Sequence, residues 1–579
     1  MYTKDLMSLN THANRMAADS CFASIKTPLN RQAWTKNLSK HPDKDYVHYL
    51  LNGIEHGFQI GADESYPFRS AGQNMLSAKQ NPDVIEQYIT KENVGGNILG
   101  PFTQGMAGKI HINRFGVIPK KHQPGKWRLI TDLSFPEGHS INDAISSDLC
   151  SLSYVTVNEV AKAAISLGKG AQIAKIDIKS AYRLIPVCAY DRKWLGMRWK
   201  DQVFVDGMLP FGLRSAPKIF NALADALEWI VGKRNVKLIF HYLDDFAVIG
   251  PPDSPACQQA LDTLEQVCKE LGVPLAPEKK DGPSTLIVFL GILIDTIKQE
   301  LSLPGDKLRR LLEMVVQWEH KKACTRRELE SLIGTLHHAC IVIPAGRSFM
   351  RRAISLLSVA RKRHHHIRLN REMRSDLMWW KVFASTWNGS SLIVHNNSDE
   401  AHVTSDASGS WGCGAWHGSK WFQLPWEQSM SPLHIAAKEL IPIIVAAAIW
   451  GQEWKGKRVI SHCDNMAVVA VINSRYSKDE YLMHMLRCLF FIEAHHQFLL
   501  SAVHIAGVKN TLADSLSRNK RESFLAEIRH CDHKPSPIPC SLMQLLLHPQ
   551  LDAARGGSIC RKNRLSIMPR SGNIGLYGR

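Results

Sequence analysis

The sequence predicts two folds in tandem, an α+β part followed by an α/β part. Three observations carry that expectation. Residues 239–250, IFHYLDDFAVIG, are too few and too rich in β-formers for a helix, and read as two strands meeting at a turn. Residues 171–187, AQIAKIDIKSAYRLIPV, open as a strand with Ile176 and Ile178 on one face and Lys175 and Asp177 on the other. Beyond residue 396, strand-like segments alternate with helical ones: HVTSDASGSWGCGAW, AAKELIPIIVAAAIWG, VISHCDNMAVVAVINS and VHIAGVKNTLADSLSR.

At 579 residues the chain has room for roughly three or four domains. A hydrophobic content of 45% supplies sizeable cores, and the net charge of +18 favours a polyanionic partner, because each phosphate contact releases counterions. The 13 cysteines are scattered without a C-x-x-C pair, so neither a disulfide framework nor a regular zinc module is expected. That usage fits a reducing compartment, and the expected location is intracellular, in cytoplasm or nucleus. No secretory leader is read at the N-terminus. The apolar run at 440–450 is interrupted by Pro442 and falls short of the ~20 residues a bilayer requires, so no membrane partner is expected.

In chain order, residues 1–95 carry no chemical signature; 45–53, DYVHYLLNG, predict a short helix stopped by its glycine. Residues 111–134 predict two strands joined by a Pro-Gly turn bearing Lys120, Lys121, Lys126 and Arg128, a basic hairpin able to grip a triphosphate or simply to face water. LPFGLRSAP, 209–217, predicts a turn leading into a helix with Pro217 near its first position and an apolar face of Ile219, Phe220, Leu223, Leu227 and Ile230. The doublet Asp244–Asp245 sits inside an apolar run, where carboxylates require a cation or hydrogen-bond partners. PEKKDGP and a single strand at 287–295 follow, and 301–395 read as basic helices. Residues 361–368 could serve as a nuclear localisation signal, and the triplet His364–His366 receives no role.

The order of these parts resembles a reverse transcriptase. The basic hairpin with K-W-R, the strand with Asp177 and Tyr182, PFG-x-x-x-AP, YLDD, PEKK and FLG correspond to its fingers, palm and primer-grip motifs. The resemblance implies that Asp177, Asp244 and Asp245 hold two Mg²⁺ ions that activate a primer hydroxyl and stabilise the leaving pyrophosphate. It also implies that Lys121 and Arg128 contact the incoming triphosphate, Tyr182 excludes ribonucleotides and Phe211 lines the nucleotide pocket. Lys279 or Lys280 is implied as proton donor to pyrophosphate, a choice the residues leave open.

Downstream, SDAS-G, KEL, CDN and H-x-x-G with ADSLSR resemble the four metal-binding corners of ribonuclease H, with Ser405 where threonine is commoner. That likeness implies Asp406, Glu439, Asp464 and Asp514 around two Mg²⁺ ions, with His504, expected in a loop, assisting turnover. Mn²⁺ is a possible substitute at both sites. The wording of HPDKDYVHYLLNGIEHGF, HINRFGVIPKKHQPGKWRLI and RELESLIGTLHHAC is most similar to the DIRS group of tyrosine-recombinase retrotransposons.

The expected organisation is therefore a right-hand polymerase followed by a ribonuclease H-like domain. It comprises 1–95 of unknown role, 96–300 fingers and palm, 301–395 thumb and connection, 396–520 ribonuclease H-like, and 521–579 a basic flexible tail. The implied partners are an RNA template, a DNA primer, RNA–DNA hybrid and dNTPs. The alternative is a catalytically silent or domesticated scaffold that only binds nucleic acid; the presence of all seven acidic ligands counts against decay. His530, Cys531, His533 and Cys540 fit no standard zinc spacing and are expected to bind nothing.

Overall fold

The computed structural model describes residues 26–102, 110–120, 125–362, 364–385, 388, 390–391, 400–528, 530–539 and 542. The chain divides into two compact units, Met1–Ile287 and Val288–Arg579.

The first unit starts with α1 (Arg31–Leu38) and α2 (Lys44–His56), each opened by a capping side chain, Asn30 and Asp43. Gly53 does not stop α2. A Cβ there would lie 2.3 Å from the Phe58 ring, so this glycine permits close packing, and the helix ends instead at Gly57 with φ 89°. α3 (Pro82–Val94) then packs Ile85 and Ile89 with Ile98, Phe115, Val117 and Phe204 of a five-stranded sheet. That sheet has the order β1-β6-β5-β2-β3, from β1 (Ile98–Phe102), β2 (Ile112–Pro119), β3 (Trp127–Asp132), β5 (Gly196–Trp199) and β6 (Gln202–Asp206). β2 and β3 form the expected antiparallel hairpin, with Pro119 opposite Trp127.

A second sheet carries the carboxylates. Its order is β7-β8-β4-β9, from β4 (Gln172–Ile178), β7 (Ile239–Tyr242), β8 (Asp245–Gly250) and β9 (Leu275–Ser284), with antiparallel neighbours throughout. Between β6 and β7 runs α4 (Ala216–Gly232), with Pro217 in its first turn and Ile219, Phe220, Leu223, Leu227 and Ile230 buried as expected. α5 (Ala256–Leu271) follows β8. PEKK is a bulge of β9: pairing jumps from Asp177–Ala276 to Lys175–Asp281 and throws 277–280 outward.

Among the described residues, 29–60 are not a separate body. Leu29, Trp34, Tyr46, Leu50, Ile54 and Phe58 share one core with α4 and α5. The Trp34 indole donates to the Leu271 carbonyl at 3.0 Å, and the Tyr46 hydroxyl donates to the Ala222 carbonyl.

In the second unit, 287–295 is a hairpin and not the single strand expected. β10 (Leu286–Phe289) turns into β11 (Ile292–Asp295) through Leu290 and Gly291, whose φ values are 48° and 78°. β12 (Glu300–Ser302) and β15 (Ser390–Ser391) extend that sheet. The helical expectation for 301–395 is met by α6 (Gly305–Glu319), α7 (Arg326–Ala339, with a Thr325–Glu328 capping box) and α8 (Arg371–Phe383), together with a small pair, β13 (Ala323–Thr325) and β14 (His366–Arg368).

The last sheet has the order β18-β17-β16-β19-β20: β16 (Glu400–Ala407), β17 (Gly412–His417) and β18 (Lys420–Pro425) are antiparallel neighbours, and β19 (Arg458–Cys463) and β20 (Leu499–His504) run parallel to β16. With α9 (Ile435–Trp450), α10 (Met466–Ser474), α11 (Glu480–His496) and α12 (Thr511–Ser517), this is the ribonuclease H-like topology. The apolar stretch Ile435–Trp454 is long enough to cross a bilayer by composition, but 78% of its most apolar window is buried in this core.

The tail expected to be flexible from 521 begins as structure. α13 (Arg521–Glu527) puts Phe524 against Trp421 and Leu516, and the Trp421 indole donates to the Asp532 carbonyl at 2.8 Å. A basic composition concealed a short apolar closure of the sheet.

Candidate active sites

The first site is built by β4 and the β7–β8 turn. Asp177, one residue from the end of β4, faces Asp245 directly in the ladder, and Tyr242 faces Asp245 on the other side. Leu243 takes φ 53° to close the turn, and the Asp244 carbonyl accepts the Ile178 N–H at 2.8 Å, so Asp244 is fixed beside the same strand. The three carboxylates predicted from sequence are thereby brought together. Burial raises Asp245 to about 7, aided by its contact with Asp177 and by the charges of Asp177 and Asp244; burial, then Asp177, raises Asp244 as well. The cluster thus carries more negative charge than the neighbouring lysines, Lys279 and Lys175, offset.

Lys279 on the β9 bulge reaches Asp177 with its ammonium, whereas Lys280 turns away and pairs with Glu265 at 2.5 Å. The structure therefore separates two lysines that the sequence left equivalent. An all-oxygen set of carboxylates with excess charge fits Mg²⁺ or Mn²⁺ better than a softer metal.

Tyr182 follows β4 in a tight turn and lies 5.0 Å from the Phe211 ring, centroid to centroid, with Phe220 behind it. Burial, then Tyr154 and Asp244, push its hydroxyl up to about 12, so it stays neutral. Phe211 is 53% exposed, an unusual position for a phenylalanine without a ligand-facing role. Tyr154 was not anticipated. Its exposed ring packs 4.9 Å from that of Tyr242, and a lone tyrosine in SLSYVTV gave no signal. Arg128 stands exposed on β3 and forms no ion pair with the three aspartates; Lys121 lies outside the described residues.

The second site gathers Asp406 at the end of β16, Glu439 in the second turn of α9, Asp464 just after β19 and Asp514 on α12. Ligand atoms of Glu439, Cys463 and Asp464 lie within 4.8 Å of one another. Asp406 accepts hydrogen bonds from Ser517 and, at 3.3 Å, from the Asn510 amide, while Asp514 pairs with Arg518 at 2.5 Å. Burial, followed by the charges of Asp406 and Asp464, raises Glu439 to about 9, and its Oε2 is buried without a hydrogen-bond partner. Burial raises Asp406 to about 6, opposed by Ser517 and reinforced by Asp464 and Asp514. An orphaned carboxylate oxygen among further carboxylates fits a hard divalent cation.

His504 is the last residue of β20, opposite Cys463, and is exposed; the sequence had expected it in a loop. Cys463, which the sequence passed over, sits behind Asp464 with its thiol pushed up to about 12 by burial and by Glu439, so it is protonated.

Residues 118–294 match the family described as Reverse transcriptase (RNA-dependent DNA polymerase). Over this segment the chain is similar to reverse transcriptases. The chain is 26% identical over 222 residues to Polyprotein P3 of Commelina yellow mottle virus, covering 38% of this chain and 11% of that protein. It is 25% identical over 171 residues to the Transposon Tf2-3 polyprotein of Schizosaccharomyces pombe, covering 29% of this chain and 12% of that protein. The chain therefore spans about a tenth of the length of these relatives. Among solved structures, the foamy viral protease-reverse transcriptase dRH in complex with double-stranded DNA aligns at TM-score 0.47 and 16% identity, covering 86% of this chain and 85% of that one. A foamy viral protease-reverse transcriptase without the dRH designation of the first, in complex with RNA/DNA hybrid, aligns at TM-score 0.47 and 15% identity, over 84% of this chain and 64% of that one.

Proposed function

We propose that the chain is an RNA-directed DNA polymerase with ribonuclease H activity, which copies retroelement RNA into DNA and degrades the RNA strand of the hybrid. The observation that carries the polymerase half is the ladder pairing of Asp177 with Asp245, with Asp244 held beside them. No ordinary structural role explains three adjoining carboxylates, two of them raised by burial and then by their neighbours' charge.

Asp177, Asp244 and Asp245 would hold divalent cations at the first site, and Asp406, Glu439, Asp464 and Asp514 at the second. When bound, Mg²⁺ supplies charge neutralisation at phosphate oxygens and a more acidic hydroxyl or water nucleophile. The protein's own groups do the rest. Tyr182, its ring tilted by 59° against that of Phe211, would orient the nucleotide sugar and exclude a 2′-hydroxyl. Lys279, whose ammonium meets Asp177, would hand a proton to departing pyrophosphate. Lys121 and Arg128 would contact the incoming triphosphate, and His504 would assist turnover at the rim of the second site.

The substrates are then dNTPs on a DNA primer and RNA template, and the second site takes the resulting RNA–DNA hybrid. The sequence wording makes the DIRS group the proposed lineage and an intracellular location the proposed setting. The test is to incubate purified protein with Mg²⁺, a DNA-primed RNA template and dNTPs, and to follow primer extension and RNA cleavage together. Both activities are expected; binding of hybrid with neither activity would instead identify a silent scaffold.

A further inference from the structure

Next to Tyr182 is an arginine that points the opposite way. The turn Ala181–Leu184 starts after Ser180, which takes φ 56°, and is closed by the Arg183 N–H to the Ser180 carbonyl at 2.7 Å. Tyr182 leaves this turn towards Phe211, while the Arg183 guanidinium runs under the fingers sheet. There, one terminal nitrogen donates to both Asp206 oxygens at 2.7 Å and the other to Glu92 at 2.8 Å. All three side chains are nearly covered, at 12%, 8% and 14% exposure.

Each acid is tied further. Asp206 accepts the Met208 N–H at 3.1 Å, three residues before Phe211. Glu92 accepts the Asn97 amide at 2.9 Å, and the Asn97 carbonyl accepts the Gly207 N–H at 2.9 Å. Two main-chain bonds, Val187 N–H to Gly207 and Leu209 N–H to Ile185, zip the segment carrying Tyr182 to the segment leading to Phe211. The backbones on which the two rings stand are thus joined through one buried charged cluster. Such clusters add little net stability compared with an apolar replacement, but they fix geometry, because no alternative arrangement satisfies the charges.

We propose that Arg183, Asp206 and Glu92 form a positioning clasp that sets the separation of Tyr182 from Phe211 and thereby the discrimination between deoxyribonucleotides and ribonucleotides. The clasp touches no substrate and acts through the two rings. It rests on the reading of Tyr182 as the sugar gate, and displacements of about 1 Å at such a gate change rates by as much as about a hundredfold.

The test measures single-nucleotide insertion of a dNTP and the matching rNTP on a DNA-primed RNA template, with kcat and KM for each. The variants are Asp206→Asn, Glu92→Gln, Arg183→Lys and Tyr182→Val, together with the double variant Tyr182→Val/Asp206→Asn. Glu92→Gln lies at the rim of the cluster and keeps its shape, so it remains informative if changes at Asp206 or Arg183 fail to fold. The expected result is a loss of dNTP preference of about ten- to a hundredfold in the clasp variants, mainly through a lower rNTP KM. Asp206→Asn should add little once Tyr182 is already valine. If Tyr182→Val relaxes selectivity but the folded clasp variants slow both nucleotides equally, the clasp is merely structural and the inference is wrong. If Tyr182→Val leaves selectivity unchanged, the gate reading itself fails and the inference falls with it.

Discussion

Asp177 lies directly opposite Asp245 across the β4–β8 ladder, with the Asp244 carbonyl bonded to the residue after Asp177. Two carboxylates at this spacing repel, and burial raises Asp245 to about 7. For a carboxylate raised on folding, the stability contribution is complete below its unfolded value near 4 and is lost as pH rises through about 7. Metal-free protein should therefore lose thermal stability between about pH 4 and pH 7, and Mg²⁺ or Mn²⁺ should restore it above about pH 7 but hardly near pH 4. A melting curve that responds equally to the cation at both pH values would contradict this account of the site.

His241 gives the opposite sign. It is buried behind the hairpin, with Nδ1 2.6 Å from Glu228 and Nε2 3.2 Å from Asp225. Although burial opposes the charge, these carboxylates raise it to about 9. Its contribution is complete below the unfolded value near 6.5 and is lost as pH rises through about 9. His241→Asn should flatten the stability profile of the first unit between pH 6.5 and 9.5, at a cost on the order of 1–3 kcal/mol at pH 6.5. An unchanged profile in chemical denaturation would exclude the ion pairs as its source.

Trp34 tests whether the helices before residue 95 belong to the core of the first unit. It is fully buried and bonded to Leu271. Trp34→Ala should cost about 3–5 kcal/mol in urea unfolding of the first unit, and a chain beginning at residue 96 should fail to fold cooperatively. A fully stable truncated chain would show that α1 and α2 are dispensable.

The second unit holds a buried pair of the same kind. Arg475, at φ 56°, meets the fully buried Glu493 through two bonds of 2.6 and 2.7 Å. Glu493→Ala leaves that guanidinium without its carboxylate and should cost about 3–5 kcal/mol, read as a lower melting temperature of the second unit. A loss below about 1 kcal/mol would place the pair among those that contribute nothing measurable.

The motifs that need few neighbours were legible in the sequence. The strand at Asp177, the turn at Asp244, and the positions of Asp406, Glu439, Asp464 and Asp514 follow from local pattern, and their frames resemble known families. What was not legible depends on contacts between distant segments. Gly53 read as a terminator because nothing in the sequence places Phe58 against it. Residues 287–295 read as one strand because apolar alternation continues through the turn that Leu290 and Gly291 make. The tail read as flexible because the basic residues around Phe524 outweigh the one side chain that docks on Trp421. Tyr154, Cys463 and the roles of Lys279 and Arg183 emerge only when strands are laid side by side.

The most direct test of two independent metal centres compares Asp244→Asn with Glu439→Gln in the same Mg²⁺ assay on an RNA–DNA primer-template. Asp244→Asn should abolish primer extension, by at least about a thousandfold, and leave RNA cleavage of preformed hybrid intact. Glu439→Gln should do the reverse. Extension that survives Asp244→Asn, or a Glu439→Gln protein that still cleaves hybrid at the wild-type rate, would contradict the assignment of the two sites.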